Sequence, residues 1–67
     1  MIKNNLSKIL DAKQLKMSEL ERMTGLSEST IRRVYYNLTS TISFNTLNKL
    51  CWALECNVTD ILEYVEE

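Results

Sequence analysis

The chain has no histidine, a single glycine and only two cysteines among its 67 residues. Each scarcity excludes something. Without histidine there is no imidazole base, no cysteine–histidine nucleophile pair and no mixed Cys/His metal site. Two thiols, Cys51 and Cys56, cannot by themselves fill a tetrahedral zinc site. They read as small buried hydrophobes of a reduced cytoplasmic protein, with a disulfide or a metal pair as the alternative. One glycine leaves no Gly-rich loop to cradle phosphates. Apolar runs are short, which excludes a signal-peptide core and a membrane span. No cofactor, metal or small-molecule substrate is expected, because no residue set that would serve one is present.

What remains is an ordinary globular composition, 45% apolar and 25% charged. A chain of this length is one domain at most, residues 1–67, and buries only about 60% of its unfolded surface. It therefore needs an economical all-helical core or a partner chain. The formal net charge of −1 hides an asymmetry. Residues 1–38 carry seven cations against four anions, net +3, whereas residues 39–67 carry Lys49 against five anions, net −4. Such a distribution orients a small protein with one end toward polyanions.

The densest pattern lies between Leu20 and Val34. Leu20 and Met23, three apart, mark the buried stripe of one short helix; Ile31 and Val34 mark that of the next. Gly25 can take the left-handed conformation that ends a helix, Leu26 packs back, and Ser27 caps the following helix. Two helices about a glycine turn make a helix-turn-helix over about residues 17–36. Opposite Ile31 and Val34, the second helix presents Glu28, Ser29, Arg32, Arg33 and Tyr36.

Around this unit the spacing predicts three further helices. The first spans about Asn4 to Gln14, with Leu6, Ile9 and Leu10 inward and Ile2 and Leu15 closing its ends. Another begins after Ser43 and runs to Leu54, with Phe44 as an anchor and Leu47, Leu50, Cys51 and Leu54 inward. The last starts after Asn57, with Asp60 at the reciprocal capping position and Ile61, Leu62 and Val65 as its apolar face. Trp52 falls off the main stripe. It either covers the helix junction or, with Tyr64 and Val65, forms an interface. Leu38 is likewise a core plug or an interface residue.

The run from Leu15 to Val34, with its Thr24-Gly25-Leu26-Ser27-Glu28-Ser29-Thr30-Ile31 kernel, resembles the DNA-binding core of the XRE family, the Cro and phage-repressor type of helix-turn-helix. The resemblance extends through Tyr35, Asn37, Ile42 to Leu47, Cys51 to Cys56 and Asp60 to Val65, as in a small stand-alone Cro-like subgroup. It implies an all-α, five-helix lambda-repressor-like domain that binds double-stranded DNA as a transcriptional repressor. It also implies a homodimer, at least on DNA, facing an operator of two-fold symmetry with major grooves about 34 Å apart.

The resemblance places a recognition helix over about residues 27–36 in the major groove, where base edges are distinguishable. Arg32 and Arg33 can each fork to guanine, or one of them, Arg32 for choice, can grip phosphate. Ser27 and Ser29 are short enough for a base or a flanking phosphate. Glu28 either accepts from cytosine or serves the helix dipole and pairs with Arg32 four residues on. Thr30 divides between helix packing and phosphate. Tyr36 and its neighbour Tyr35 read as packing residues with wet hydroxyls more than as base readers. Asn37 suits the left-handed position at the helix end, and where relatives have loop lysines Leu38, Thr39, Ser40 and Thr41 stand, leaving hydroxyls and backbone N–H groups to hold phosphate. At the start of the preceding helix the family often has Thr or Ser followed by Gln; here Lys16 and Met17 stand instead. Lys16 can offer a point charge, Met17 no useful bond, and the backbone N–H groups stay available to an anion. A protein-binding module on a degenerate helix-turn-helix, such as an antitoxin-like or inhibitor partner, is the alternative that the acidic C-terminal half favours.

Overall fold

The computed structural model describes residues 1–66. Among them the elements run β1 (Ile2–Asn4), α1 (Leu6–Lys13), α2 (Met17–Thr24), α3 (Glu28–Tyr35), α4 (Phe44–Leu54), α5 (Val58–Ile61) and β2 (Leu62–Tyr64). The domain is thus essentially all-helical, with five helices among the described residues. A short ribbon, absent from the sequence-based expectation, is added to them.

Side-chain caps fix most helix starts. Ser27 Oγ accepts from the Thr30 N–H at 3.3 Å, and Ser43 Oγ accepts from the Thr46 N–H at 3.1 Å. At α5 the Asp60 carboxylate reaches back to the Asn57 N–H at 2.8 Å. Lys16 has no acceptor to offer at the start of α2. The Glu19 carboxylate accepts from its N–H at 3.2 Å, which supplies half of a capping box. The helix ends share one device. Gln14, Gly25, Asn37 and Glu55 all have positive φ, between 51° and 73°, and only one of the four is glycine. Paired bonds such as Leu15 N–H to Leu10 O and Gln14 N–H to Asp11 O close the last turn of α1.

Leu6, Leu10, Leu20, Ile31, Val34, Leu47, Leu50, Leu54 and Ile61 form one core, to which all five helices contribute. Full burial of each such side chain is worth about 1.5–3 kcal/mol. Thr24 is buried with them because its hydroxyl donates to Leu20 O at 2.7 Å and accepts from the Leu26 N–H at 3.2 Å. That arrangement corrects the expected stripe. Thr24, four residues after Leu20, faces inward, and Met23 is left exposed. Phe44 is also exposed rather than anchoring α4. It is the first residue after the Ser43 cap, and Ile42 and Leu47 hold the staple positions on either side of the cap instead. Leu38 is exposed, so it plugs no core.

The terminal ribbon corrects both chain ends. Ile2 pairs with Tyr64, Lys3 with Glu63 and Asn4 with Leu62, antiparallel. Its outer end is closed by the Val65 N–H to Met1 O bond at 2.8 Å and the N-terminal ammonium to Val65 O at 2.6 Å. Residues 62–65 therefore do not extend α5, Ile2 is an exposed strand residue, and α1 begins at Leu6. The Asn5 N–H to Ile61 O bond at 2.7 Å ties the ribbon to the helical body.

Candidate nucleic-acid interface

The face of α3 turned from the core is set by two buried residues. Ile31 and Val34 are locked against the other helices, and their 3.6-residue period leaves Glu28, Ser29, Arg32 and Arg33 in solvent. Gly25, at φ 73°, turns the chain between α2 and α3. A Cβ there would meet no atom within 4 Å, so the glycine serves backbone conformation and not close packing.

On this face Arg32 and Glu28 form an ion pair at 3.3 Å, both side chains more than half exposed. Pairs of this kind are worth a few tenths of a kcal/mol, so another anion can replace Glu28. Ser27 Oγ lies 3.2 Å from Ser29 Oγ and 2.9 Å from Thr30 Oγ1, leaving Thr30 half-buried and turned toward its own cap.

Two clefts flank α3. One, of about 160 Å³, is lined by Arg33, Thr30, Thr39, Thr41, Ser43 and Thr46, with Val34 and Ile42 at its base. The start of α4 borders it, so one arginine and five hydroxyl-bearing residues share a small concave surface. Ser43 and Thr46 are additions to the predicted set. The hydroxyl-rich run 39–41 was visible in the sequence, but its apposition to Arg33 arises only from tertiary packing. The second cleft lies between the starts of α2 and α3, lined by Lys16, Met17, Ser18, Glu21, Glu28 and Ile31. Lys16 is exposed there, whereas Met17 packs on the core edge.

Other predicted residues are placed differently. Asn37 takes the left-handed position at φ 57°, and its side-chain oxygen accepts from the Asn4 amide. That amide also donates to Val34 O at 2.9 Å, so Asn37 belongs to the joint between α3 and the ribbon. Thr39 Oγ1 donates to Thr41 O at 2.7 Å and accepts from the Thr41 N–H at 3.2 Å, which shapes its own loop. Tyr36 is exposed, its ring edge-on to Tyr35 at 4.8 Å between centroids. Trp52 and Tyr64 are 73% and 71% exposed, and Val65 is exposed beside the chain start.

Cys51 and Cys56 are free and half-buried. Glu55, in the left-handed conformation, brings the Cys56 N–H to Cys51 O at 3.1 Å. Burial first, then the neighbouring Cys51 and Asp60, pushes the Cys56 thiol above its ordinary range. Among the described residues no cluster of three potential ligands could hold a metal ion, and no helix is long and apolar enough to cross a membrane.

Residues 5–67 match the Cro/C1-type HTH DNA-binding domain. The chain belongs to this family. It is also 30% identical over 60 residues to the HTH-type transcriptional regulator YozG of Bacillus subtilis (strain 168), a match spanning 90% of this chain and 71% of that protein.

Proposed function

We propose that this Cro/C1-type protein is a cytoplasmic transcriptional repressor. In this reading residues 1–67 act as one domain, bind double-stranded DNA sequence-specifically, and seat α3 in the major groove. The observation that carries the reading is the α3 face itself. Two arginines, a serine and a glutamate stand in solvent on a helix whose other side is fixed in the core. A rigid helix with a polar outer face fits the major groove, where each base pair shows its own donor and acceptor pattern.

Arg33 forks to guanine O6 and N7 in this reading, and Thr39 and Thr30 take the flanking phosphate by exchanging for it their bonds to Thr41 O and to the Ser27 cap. Arg32 exchanges Glu28 for phosphate, and Glu28 then accepts from cytosine or penalises other bases. Ser27 and Ser29 approach the groove at the helix start. Lys16 and the backbone N–H groups at the start of α2 hold a second phosphate, with Met17 as packing. Tyr36 and Asn37 border the groove at the other end of α3. About four to six phosphates neutralised per subunit give log K a slope of about −4 to −5 against log salt. The protein acts as a homodimer on a two-fold operator, with Trp52, Tyr64 and Val65 as candidate interface residues.

Selection of bound duplexes from a random pool, followed by footprinting, tests this directly. A recovered two-fold sequence with protected major-groove guanines is expected. Recovery of no preferred sequence, with salt-independent retention, removes the reading. The Glu28–Arg32 pair and the net charge of residues 39–67 favour one other assignment, a protein-binding module using the same face. It predicts that no duplex competes with the partner for α3.

A further inference from the structure

The outward side of α4 carries a ridge unlike the rest of the surface. Phe44, Asn48 and Trp52 recur every four residues, and Phe44 is 89% exposed. On the opposite side Leu47, Leu50 and Leu54 are buried, so the ridge cannot rotate inward without emptying the core. Beside it Asn45, Asn48, Lys49 and Trp52 line a shallow depression of about 370 Å³. A single exposed hydrophobe needs no explanation, but two large rings on one ridge next to a hollow form a patch.

We propose that this face of α4 is a self-association surface, covered by the same face of a second copy. The two helices cross about a two-fold axis that passes by Asn48. The proposal rests on the dimeric reading above and narrows its interface to Trp52 with Phe44 and Asn48, leaving Tyr64 and Val65 of the terminal ribbon outside it. Three observations favour a second copy over a different partner. The ridge is symmetric in sequence about Asn48, so a two-fold axis sets Phe44 of each protomer over the depression beside Trp52 of the other. Asn48 meets its own copy, and an amide is both donor and acceptor. Lys49 is the single charged residue in α4, so the face offers little to an acidic or basic partner and sets few like charges together. A ridge of i, i+4, i+8 residues packs into its own kind at a crossing of about −50°.

The area is consistent with a reversible contact. A fully buried aromatic side chain removes about 150–250 Å² from water, and with Phe44 89% and Trp52 73% exposed the four rings have about 500–800 Å² left to bury. With the asparagines this stays below the roughly 1,200 Å² at the low end of stable interfaces. The contact therefore closes fully when two subunits are brought together on DNA.

Sedimentation equilibrium of the full chain without DNA, together with the emission of its one tryptophan, is the test. Self-association with a blue shift of Trp52 emission as concentration rises is expected. Phe44→Lys and Trp52→Glu, each checked for an unchanged helical spectrum, should weaken it by about tenfold or more. The double variant, which lacks all four rings, should lose at least as much as either single variant, since an exposed ammonium–carboxylate pair restores only a few-fold. Affinity for a single half-site should be unchanged in all three. A chain that stays monomeric up to its solubility limit overturns the proposal. So does a dimer that survives both single variants and is broken instead by Ile2→Lys on the terminal ribbon. An aromatic-dependent dimer that binds no duplex supports this interface and removes the DNA reading alone.

Discussion

Residues 1–38 and 39–67 build one core but present different chemistry outside it. The first part carries seven of the eight cations and a helix with both arginines outward. The second carries five of the nine anions, and its exposed positions include Phe44, Trp52 and Tyr64. Interior and surface therefore follow different divisions of the chain. Leu20 and Ile31 from one side meet Leu50, Leu54 and Ile61 from the other, so neither part has an apolar interior of its own. A 67-residue chain buries too little to support two cores, and distributing surface chemistry between its ends costs no interior packing.

The shared interior is the first thing to break. Leu20→Ala and Ile61→Ala should each cost about 2–5 kcal/mol in urea unfolding, in a single transition for both. An Ile61→Ala protein that keeps a separately melting α2–α3 unit would show that the two parts are independent. Next comes the cationic surface. Arg33→Ala should cost about 1–3 kcal/mol in operator affinity and relax preference at one base pair, with unfolding unchanged. An equal loss on every sequence would make Arg33 a backbone clamp.

Helix ends sharpen the comparison at smaller amplitude. Gly25→Ala, in the turn of the first part, forces a Cβ into the left-handed region and should cost about 1–2 kcal/mol. Glu55→Gly, in the second part, removes that same strain and should gain up to about 1 kcal/mol. Opposite signs in urea titrations are the expected result. The smallest effect concerns Cys56. Its thiol is held above the ordinary range in the fold, so the folded state keeps the proton longer than the unfolded chain. That contribution is present below the unfolded thiol's pKa and is lost as pH rises through the folded value. Stability should therefore fall slightly above about pH 9, the ordinary thiol value, and Cys56→Ser should flatten this limb.

Local features were legible in the sequence, and non-local ones were not. Gly25, the Ser27 and Ser43 caps, the Asn57–Asp60 pair and the outward arginines all depend on neighbours within four residues. Thr24 defeats a hydrophobic count because its hydroxyl is satisfied by the carbonyl four residues back. The ribbon joins Ile2 to Tyr64, and no local period marks strands of three residues. At the candidate interface the arginines were readable. The hydroxyls of Thr41, Ser43 and Thr46 beside Arg33 were not, because only the packing of α4 brings them there.

If α3 reads base edges in the major groove through Arg33, removing a single acceptor from one guanine exposes it. Replacing guanines of the selected operator one at a time by 7-deazaguanine removes only the N7 acceptor. At one guanine of each half-site, two symmetry-related positions in all, the substitution should weaken the wild-type protein about tenfold and leave Arg33→Ala unaffected, a coupling of about 1.4 kcal/mol. Equal binding of the wild type to every substituted duplex would contradict it.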